Sequence, residues 1–307
     1  MDAYLKNIKE WALVTQAARR FKTADRSVVV GPGDDAAVIR GPKGFYGLLT
    51  ADMLVEFVHF KKGEDLKKVG YKAVAVSVSD IAAMGGQPRF ALVSVGLPRK
   101  DPARRAQALF AGLGQCARRY GVSIIGGDMN RSDRLVIDVF MMGEVEKKNL
   151  VLRSGAKDGD VILVSGPLGG SQASGRHLAF VPRVEEARFL VKHSKVHAMM
   201  DLSDGLSMDL SRLCEASRLG AVISEEDIPR NPGVKTIAAA LGDGEDYELL
   251  FTLAPKEARR LAISCGRPSS PFRFYPVGRM TDTFRGVRIR GRDGFLKKLP
   301  PPKFKHF

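Results

Sequence analysis

The sequence is poor in cysteine and has no long apolar run, and both shortages exclude classes of protein. Three cysteines lie far apart among 307 residues and form no CxxC pair. We therefore expect no disulfide framework and no zinc site, and a reducing, cytoplasmic compartment. No run of about 18 apolar residues is present, so no helix is expected to cross a membrane. Residues 1–21 lack the apolar core of a signal peptide.

Several common catalytic motifs are also missing. The sequence has no GxxxxGK[ST] phosphate loop, no HExxH zinc motif and no GxSxG nucleophile turn. Its five histidines show no metal-binding spacing. The P-loop solution to nucleotide binding is therefore excluded, together with HExxH peptidases and GxSxG hydrolases.

Basic residues are in excess, with 49 Lys and Arg against 34 Asp and Glu and a net charge of +15. Residues 255–307 hold 14 basic and three acidic residues, and so carry +11 of that charge. This excess fits a solvated surface, and it also fits attraction of polyanions such as nucleotides or nucleic acid. Net charge alone does not separate these alternatives.

Strand-like and helix-like segments alternate through the first half, which predicts a mixed α/β (α+β) fold. Asp65 is expected to cap a long helix that runs to about Met84 and is ended by Gly85 and Gly86, and Gly121 to end an amphipathic helix over 101–120. The charged stretch at 146–148 predicts a boundary between an N-terminal domain, 1–148, and a C-terminal α/β domain, 149–307. Strands are predicted over 26–30, 36–40, 46–51, 89–96, 122–125, 135–145 and 160–165.

A glycine-rich loop at 166–171 follows the last of these predicted strands. Such a loop could hold a phosphate at a helix N-terminus. A plain strand-to-helix turn is the favoured interpretation, because the loop carries no further phosphate-binding signal.

Aspartates recur beside glycine or at the ends of predicted elements. Each one alone could be a helix cap or a turn residue. Asp80 differs, because it interrupts the apolar run 73–84, where an unpaired carboxylate is costly to bury. If the segments converge, their carboxylates repel one another and need cations, and all-oxygen ligands select Mg²⁺, with nucleotide phosphates completing the coordination. The segments are Gly33–Asp35, Thr50–Asp52, Ser79–Asp80, Gly126–Asp128 and Asp201–Gly205.

Seven longer segments follow one another along nearly the whole chain. They are GPGDDAAVI (31–39), TADMLVEFVHF (50–60), KAVAVSVSDIAAMGGQPRFALVSVGLP (72–98), GGDMNR (126–131), RSGAKDGDVILVSGPLGGS (153–171), MDLSDGLSMDL (200–210) and GEDYELLFT (244–252). Together they resemble the thiamine-monophosphate kinase family, within the superfamily of aminoimidazole-ribonucleotide synthetase. GGD and SDG are shared across that superfamily, whereas the second, third and seventh segments are specific to the family.

The resemblance implies two α/β domains and a homodimer in which the N-terminal mixed sheets of two subunits pair. It implies several Mg²⁺ ions as cofactors and ATP as co-substrate. In the implied reaction, ATP and thiamine monophosphate give ADP and thiamine diphosphate by direct in-line transfer. No general base is needed, because the acceptor phosphate is already an anion. Neither a membrane nor nucleic acid is expected as a partner.

The resemblance also implies roles for individual residues. The implied Mg²⁺ ligands, direct or through water, are Asp34, Asp35, Thr50, Asp52, Asp80, Asp128, Asp201 and Asp204. The implied ATP contacts are Gly127, Asp128, Arg153 and Ser203. The implied contacts to thiamine monophosphate are His59, Glu245 and Phe304. Asp246 and Glu248 are expected to be structural.

The chain departs from the family pattern mainly on the acceptor side. Ala51 replaces a hydroxyl residue, Met129 follows the GGD motif in place of threonine, and Phe304 stands where many relatives have a tyrosine against the thiamine ring. Two alternatives stay open. One is a related ATP-dependent kinase or synthetase acting on another small molecule. The other is a nucleic-acid-binding protein that uses the basic C-terminal half.

Overall fold

The computed structural model describes residues 9–21, 23–267 and 269–299, which form two β-sheets with helices packed against them. The helices in these ranges are α1 (Lys9–Arg20), α2 (Leu66–Ala83), α3 (Pro102–Tyr120), α4 (Ser171–Ser174), α5 (Val184–His193), α6 (Leu206–Ser217), α7 (Ile237–Gly242) and α8 (Pro255–Cys265), with short 3₁₀ helices at Lys147–Asn149 and Arg176–Leu178. The strands are β1 (Val28–Val30), β2 (Ala37–Arg40), β3 (Phe45–Val55), β4 (Gln87–Leu97), β5 (Ser123–Arg131), β6 (Val136–Glu146), β7 (Val161–Val164), β8 (Val196–Asp201), β9 (Gly220–Ser224), β10 (Leu249–Leu253), β11 (Tyr275–Thr281), β12 (Gly286–Arg290) and β13 (Leu296–Lys298).

The first sheet has six strands in the order β1-β2-β3-β6-β4-β5. Neighbouring strands run antiparallel except β4 and β5, which pair in parallel. Helices α2 and α3 pack together over one face of this sheet, and side chains from both helices join its buried core. The strand β5 forms one edge, and its nine residues are all exposed.

Helix α2 is the element that positions the site. Its sequence is apolar on nearly every side, which is typical of a helix enclosed by other elements, and the residues from Val69 to Ala83 are buried except Asp80. The Asp65 side chain accepts a hydrogen bond from the Lys67 amide at 2.9 Å, which confirms the predicted N-cap. The last turn of α2 also packs into the core of the second sheet, so this helix is shared by the two halves of the molecule.

The second sheet has seven strands in the order β13-β12-β9-β11-β7-β10-β8. Its neighbours are antiparallel except β9 and β12. Helices α6 and α7 bury their apolar residues against one face, and α5 and α8 pack against the other. The mixed α/β fold predicted from the sequence is therefore confirmed.

The strand β5 differs from its prediction, because it continues through the glycines of the GGD motif as far as Arg131. Ladder hydrogen bonds to β4 override the turn signal of those glycines. Gly127 has φ +155°, and a Cβ atom there would lie 1.8 Å from the Val93 carbonyl oxygen. The predicted end of this strand at 125 was therefore wrong, and glycine is required by close backbone approach.

Across the described ranges, no helix combines the length and apolarity that crossing a bilayer requires.

Candidate active site

Three carboxylates from distant parts of the sequence meet beside helix α2. Asp35 precedes β2, Asp80 lies in the last turns of α2, and Asp201 ends β8. One carboxylate oxygen from each lies within 4.8 Å of the other two. Asp35 Oδ2 is buried and accepts no hydrogen bond from the described residues. The convergence predicted for these three aspartates is observed, and the donor set is one that hard divalent cations prefer.

Protonation of this group reflects crowding and burial. Burial, reinforced by the Asp35 charge, raises the pKa of Asp201 to about 7. Burial and the charges of Asp52 and Asp201 raise the pKa of Asp80 well above its usual value. Without a cation the group therefore retains protons near neutral pH. Three oxygen ligands that cannot all ionise without compensation fit a site for Mg²⁺.

Hydroxyl groups fix the orientation of these carboxylates. Thr50 Oγ1 donates to Asp80 Oδ2 at 2.5 Å, and Ser79 Oγ donates to Asp201 Oδ2 at 2.5 Å. The second bond joins helix α2 to the second sheet. Thr50 was an implied ligand from the sequence, whereas Ser79 was named only as the residue before Asp80 and was given no role.

Asp52 lies on β3 beside the three carboxylates. Its Oδ2 accepts a hydrogen bond from Ser77 Oγ at 2.9 Å. Burial raises the pKa of Asp52, partly offset by hydrogen bonds from Ser77 and Asp80. The strand and the helix therefore present Asp52 and Asp80 as hydrogen-bonded neighbours.

Arg153 and Asp34 support this group from one side. Arg153 Nη2 donates to Asp35 Oδ1 at 2.7 Å, while Arg153 Nε is buried with no acceptor among the described residues. Burial lowers the pKa of Arg153, but the charge and hydrogen bond of Asp35, together with the charges of Asp34 and Asp80, outweigh burial and keep the guanidinium protonated. The Asp34 carboxylate accepts from the Arg153 amide at 3.1 and 3.2 Å. Asp34 thus holds the backbone and is not brought into the three-carboxylate group.

Asp204 is paired with a cation that sequence reasoning missed. Arg212 Nη2 lies 2.6 Å from Asp204 Oδ2, and Arg212 Nη1 donates to Asp209 at 3.0 Å. Asp209 and Arg212 lie on α6 and Asp204 lies just before it; because helical side chains tilt toward the N-terminus, the long Arg212 side chain reaches back to both carboxylates. Burial raises the pKa of Asp209 well above its usual value.

A cavity of about 610 Å³ opens beside these acids, a size that is typical of small-molecule sites. His59 and Glu245, the two described acceptor contacts predicted from the sequence, both line it. Tyr247 was not singled out; it lines the same cavity and stacks on Phe180 with ring centroids 3.9 Å apart. The lining residues are Asp52, Met53, Leu54, Val55, Val58, His59, Val76, Asp80, Ser203, Asp204, Arg212, Glu245 and Tyr247.

Asp128 lies apart from the three-carboxylate group. It is exposed on the edge strand β5, and its Oδ2 accepts from Asn130 Nδ2 at 2.6 Å. The sheet register runs from Asp128 through Ser94 and Asp138 to Met53 on β3. Three strand spacings, about 14 Å, therefore separate Asp128 from β3. A single metal ion cannot span that distance.

Gly127 and Asp128 line a second cavity, which has a volume of about 540 Å³. Phe110 of α3 and Met129 of β5 are among its lining residues. The sequence-predicted nucleotide contacts are thus divided between this cavity, which holds Gly127 and Asp128, and the first, which holds Ser203. Phe304 lies outside the described residues.

In the glycine-rich loop at 166–171, the amides of Gly169 and Gly170 are already bonded to acidic side chains. Gly169 N donates to both Asp246 oxygens at 2.9 and 3.0 Å, and Gly170 N donates to Asp243 Oδ2 at 3.1 Å. Asp246 also accepts from Arg176 at 2.5 Å, and Glu248 accepts from Arg183 at 2.7 Å. The plain-turn interpretation holds, and Asp246 and Glu248 have the structural roles expected of them.

Comparison with known proteins places this arrangement in a class. The sequence matches the AIR synthase related protein N-terminal domain over residues 33–145 and the corresponding C-terminal domain over residues 157–290. The chain therefore belongs to the AIR synthase related proteins. Within that class it belongs to the thiamine-monophosphate kinase family. It is 37% identical over 296 residues to the thiamine-monophosphate kinase of Rhodopirellula baltica, covering 90% of this chain and 88% of the relative.

Two further relatives agree with that assignment. The Bacillus subtilis thiamine-monophosphate kinase is 36% identical over 309 residues, covering 92% of this chain and 94% of the relative. The solved structure of AaThiL complexed with AMPPCP and TMP has a TM-score of 0.83 and 29% identity, covering 100% of this chain and 99% of that one.

Proposed function

We propose that this chain transfers the γ-phosphoryl group of ATP to thiamine monophosphate, giving ADP and thiamine diphosphate. The observation that carries the proposal is the three-carboxylate group Asp35, Asp80 and Asp201, which borders a cavity lined by His59 and Glu245. Family membership supports the reaction, as does a related structure that holds AMPPCP, an ATP analogue, together with TMP.

The roles of the acids follow from their surroundings. Asp35, Asp80 and Asp201 would hold Mg²⁺, with Thr50 and Asp52 completing or orienting the ligands. Bound there, the metal would neutralise phosphate charge and align the reacting groups. Asp204, Asp34 and the distant Asp128 remain proposed ligands, direct or through water. Asp128 would need a nucleotide phosphate chain to connect it to the others.

On the nucleotide side, Arg153 would donate to phosphate oxygens. Its buried Nε without an acceptor, and its fixed contact with Asp35, support this role. Gly127 lets the backbone of β5 lie close to that of β4 at Val93. Ser203 lies in the wall of the first cavity beside Asp204. These residues bind and orient the nucleotide.

On the acceptor side, His59 would present a proton donor. Its Nδ1 accepts the Val55 amide at 3.0 Å, so a neutral ring carries its proton on Nε2. The acceptor phosphate oxygen attacks the γ-phosphorus while the bond to the β–γ bridging oxygen breaks and its electron pair leaves with ADP. The acceptor is an anion near neutral pH, so positioning and charge neutralisation suffice. Phe304 is proposed to lie against the thiamine ring.

We also propose two domains, 1–148 and 149–307, and a homodimer formed through the first sheet. The two matched domain segments support the division. The exposed apolar residues of the first sheet support the dimer, and Ile125 and Met129 on the edge strand are 64% and 52% exposed. Light scattering of the purified chain tests it: a dimer is expected, with Ile125→Lys shifting the mass toward a monomer.

The decisive assay follows thiamine diphosphate by liquid chromatography with ATP, MgCl₂ and thiamine monophosphate. Formation is expected, with loss in EDTA and recovery on adding Mg²⁺. Unphosphorylated thiamine, which lacks the acceptor phosphate, is the matched control and should give no product. Absence of thiamine diphosphate with all three components present would contradict the proposal.

A further inference from the structure

Lys72 is a fully buried lysine on helix α2 that the proposed chemistry has not used. Its side chain has 0% exposure, and every residue from Val69 to Val76 on the helix is buried. Burial lowers the pKa of this ammonium, while the adjoining Glu245 carboxylate opposes that effect. An ammonium at such a position is costly unless its hydrogen bonds are made.

Both acceptors of Lys72 belong to residues proposed to contact thiamine monophosphate. Lys72 Nζ donates to the His59 carbonyl oxygen at 3.0 Å and forms an ion pair with Glu245. His59 follows β3 of the first sheet, whereas Glu245 precedes β10 of the second. One buried ammonium therefore joins the two sides of the acceptor cavity.

His59 and Glu245 are each held by further bonds, so the Lys72 ammonium fixes the orientation of these two residues as well as balancing the charge of Glu245. The second oxygen of Glu245 accepts from Gln172 at 3.0 Å, and the Glu245 amide donates to the Ser203 carbonyl at 2.6 Å. Glu245 also has φ +57°, a left-handed conformation that persists only where the surroundings enforce it. At His59, the ring nitrogen is held by the Val55 amide and the carbonyl by Lys72, which fixes both ends of the residue.

We propose that Lys72 is a positioning residue that sets the separation and orientation of His59 and Glu245 in the acceptor site. The proposal rests on the proposed function. It assigns Lys72 no contact with ATP and no role at the carboxylate group. Its loss should therefore affect binding of thiamine monophosphate selectively, because Arg153, the proposed phosphate contact of the nucleotide, is held by Asp34 and Asp35 and not by Lys72 or Glu245.

Lys72→Met tests this role. The KM for thiamine monophosphate should rise about tenfold or more while the KM for ATP stays within about twofold. The Met variant leaves Glu245 buried without its cation, so the double variant Lys72→Met/Glu245→Gln is measured as well. It removes both charges and should recover the melting temperature. Glu245→Gln alone completes a double-mutant cycle, in which the effects of Lys72→Met and Glu245→Gln on the KM for thiamine monophosphate should be strongly non-additive.

Arg188→Met is the matched control. Arg188 is also buried, pairs with Glu146 at 2.7 Å and donates to the Gly85 carbonyl, so it joins the same two halves away from the cavity. It should lower the melting temperature without changing the KM for thiamine monophosphate. A common rise in both KM values for Lys72→Met, additive effects in the cycle, or the same KM change in Arg188→Met would overturn the positioning role alone. An inactive parent enzyme would overturn the proposed function as well.

Discussion

Replacing Asp201 by Asn distinguishes two effects of the three-carboxylate group: the loss of stability caused by its charge, and its proposed role in binding Mg²⁺. Asn keeps the shape of the side chain and can still accept the Ser79 hydroxyl, but it carries no charge. Without Mg²⁺ the variant should therefore be more stable than the parent at alkaline pH. With Mg²⁺ and ATP it should be nearly inactive, because a charged metal ligand has been lost.

Two related quantities set the magnitude: the repulsion between the carboxylates alone, and the pKa shift of Asp201, which contains that repulsion together with the larger effect of burial. Oxygens within 4.8 Å repel by about 3 kcal/mol at an effective dielectric of about 20. The pKa of Asp201, raised to about 7 from an ordinary value of about 4, corresponds to about 4 kcal/mol. We therefore expect a gain of about 3 kcal/mol in the free energy of unfolding, a shift in melting temperature of roughly 6–12 °C.

The sign of the pH dependence is fixed by the direction of that pKa shift. The pKa of Asp201 is higher in the folded state than in the unfolded state. Its ionisation therefore lowers the free energy of unfolding: the decrease is absent below about pH 4, grows between about pH 4 and 7, and is complete above that. The advantage of the Asn variant should follow the same course.

Unfolding by urea, followed by circular dichroism in EDTA near pH 4 and near pH 8, measures the difference. Asp133→Asn, at an exposed position outside the group, is the control and should show no such gain. A gain of equal size at both pH values, or a loss near pH 8, would refute the like-charge argument. Turnover within about tenfold of the parent at saturating Mg²⁺ would refute the ligand assignment.

Three further outcomes are expected. Arg153→Met should raise the KM for ATP about tenfold and leave that for thiamine monophosphate nearly unchanged, which steady-state kinetics with each substrate varied will check. If the basic excess attracts nucleotides, raising salt from about 20 to 200 mM should raise the KM for ATP with little change in kcat, and a salt-independent KM would leave that charge as ordinary surface. Phe304→Ala should raise the KM for thiamine monophosphate alone while Phe304→Tyr is nearly neutral, because stacking uses the ring face. An unchanged KM after deletion of residues 303–307 would contradict that role.

The parts of the fold that obey local rules were predictable. Helix α2 has a capping aspartate, a long and mostly apolar run and terminal glycines, and it forms over Leu66–Ala83 as those signals indicate. Asp80 was informative for the same reason, since a carboxylate inside an apolar helix needs compensation. That the aspartate segments converge was a hypothesis from the sequence, and in the structure Asp80 lies with Asp35 and Asp201.

Pairings that depend on how the halves pack were not predictable. Lys72 and Glu245 are 173 positions apart, and no periodicity links them. The separation of Asp128 from the other acids is set by sheet order, because β6 and β4 lie between β3 and β5. Sequence motifs do not show which of the aspartates lie close together, whereas the strand order places Asp128 apart from the others.

The bonds that build the site are largely the bonds that join the two halves. Ser79 of α2 orients Asp201 of the second sheet, and Arg153 holds Asp35. The three carboxylates therefore meet only when the halves are packed, and in the unfolded chain they lie far apart. A cation that binds the assembled group binds the folded state alone, so its binding free energy adds to the stability of this packing. In the proposed site, Mg²⁺ would relieve the repulsion among these carboxylates, and its binding would therefore stabilise the joining of the two halves around the cavity.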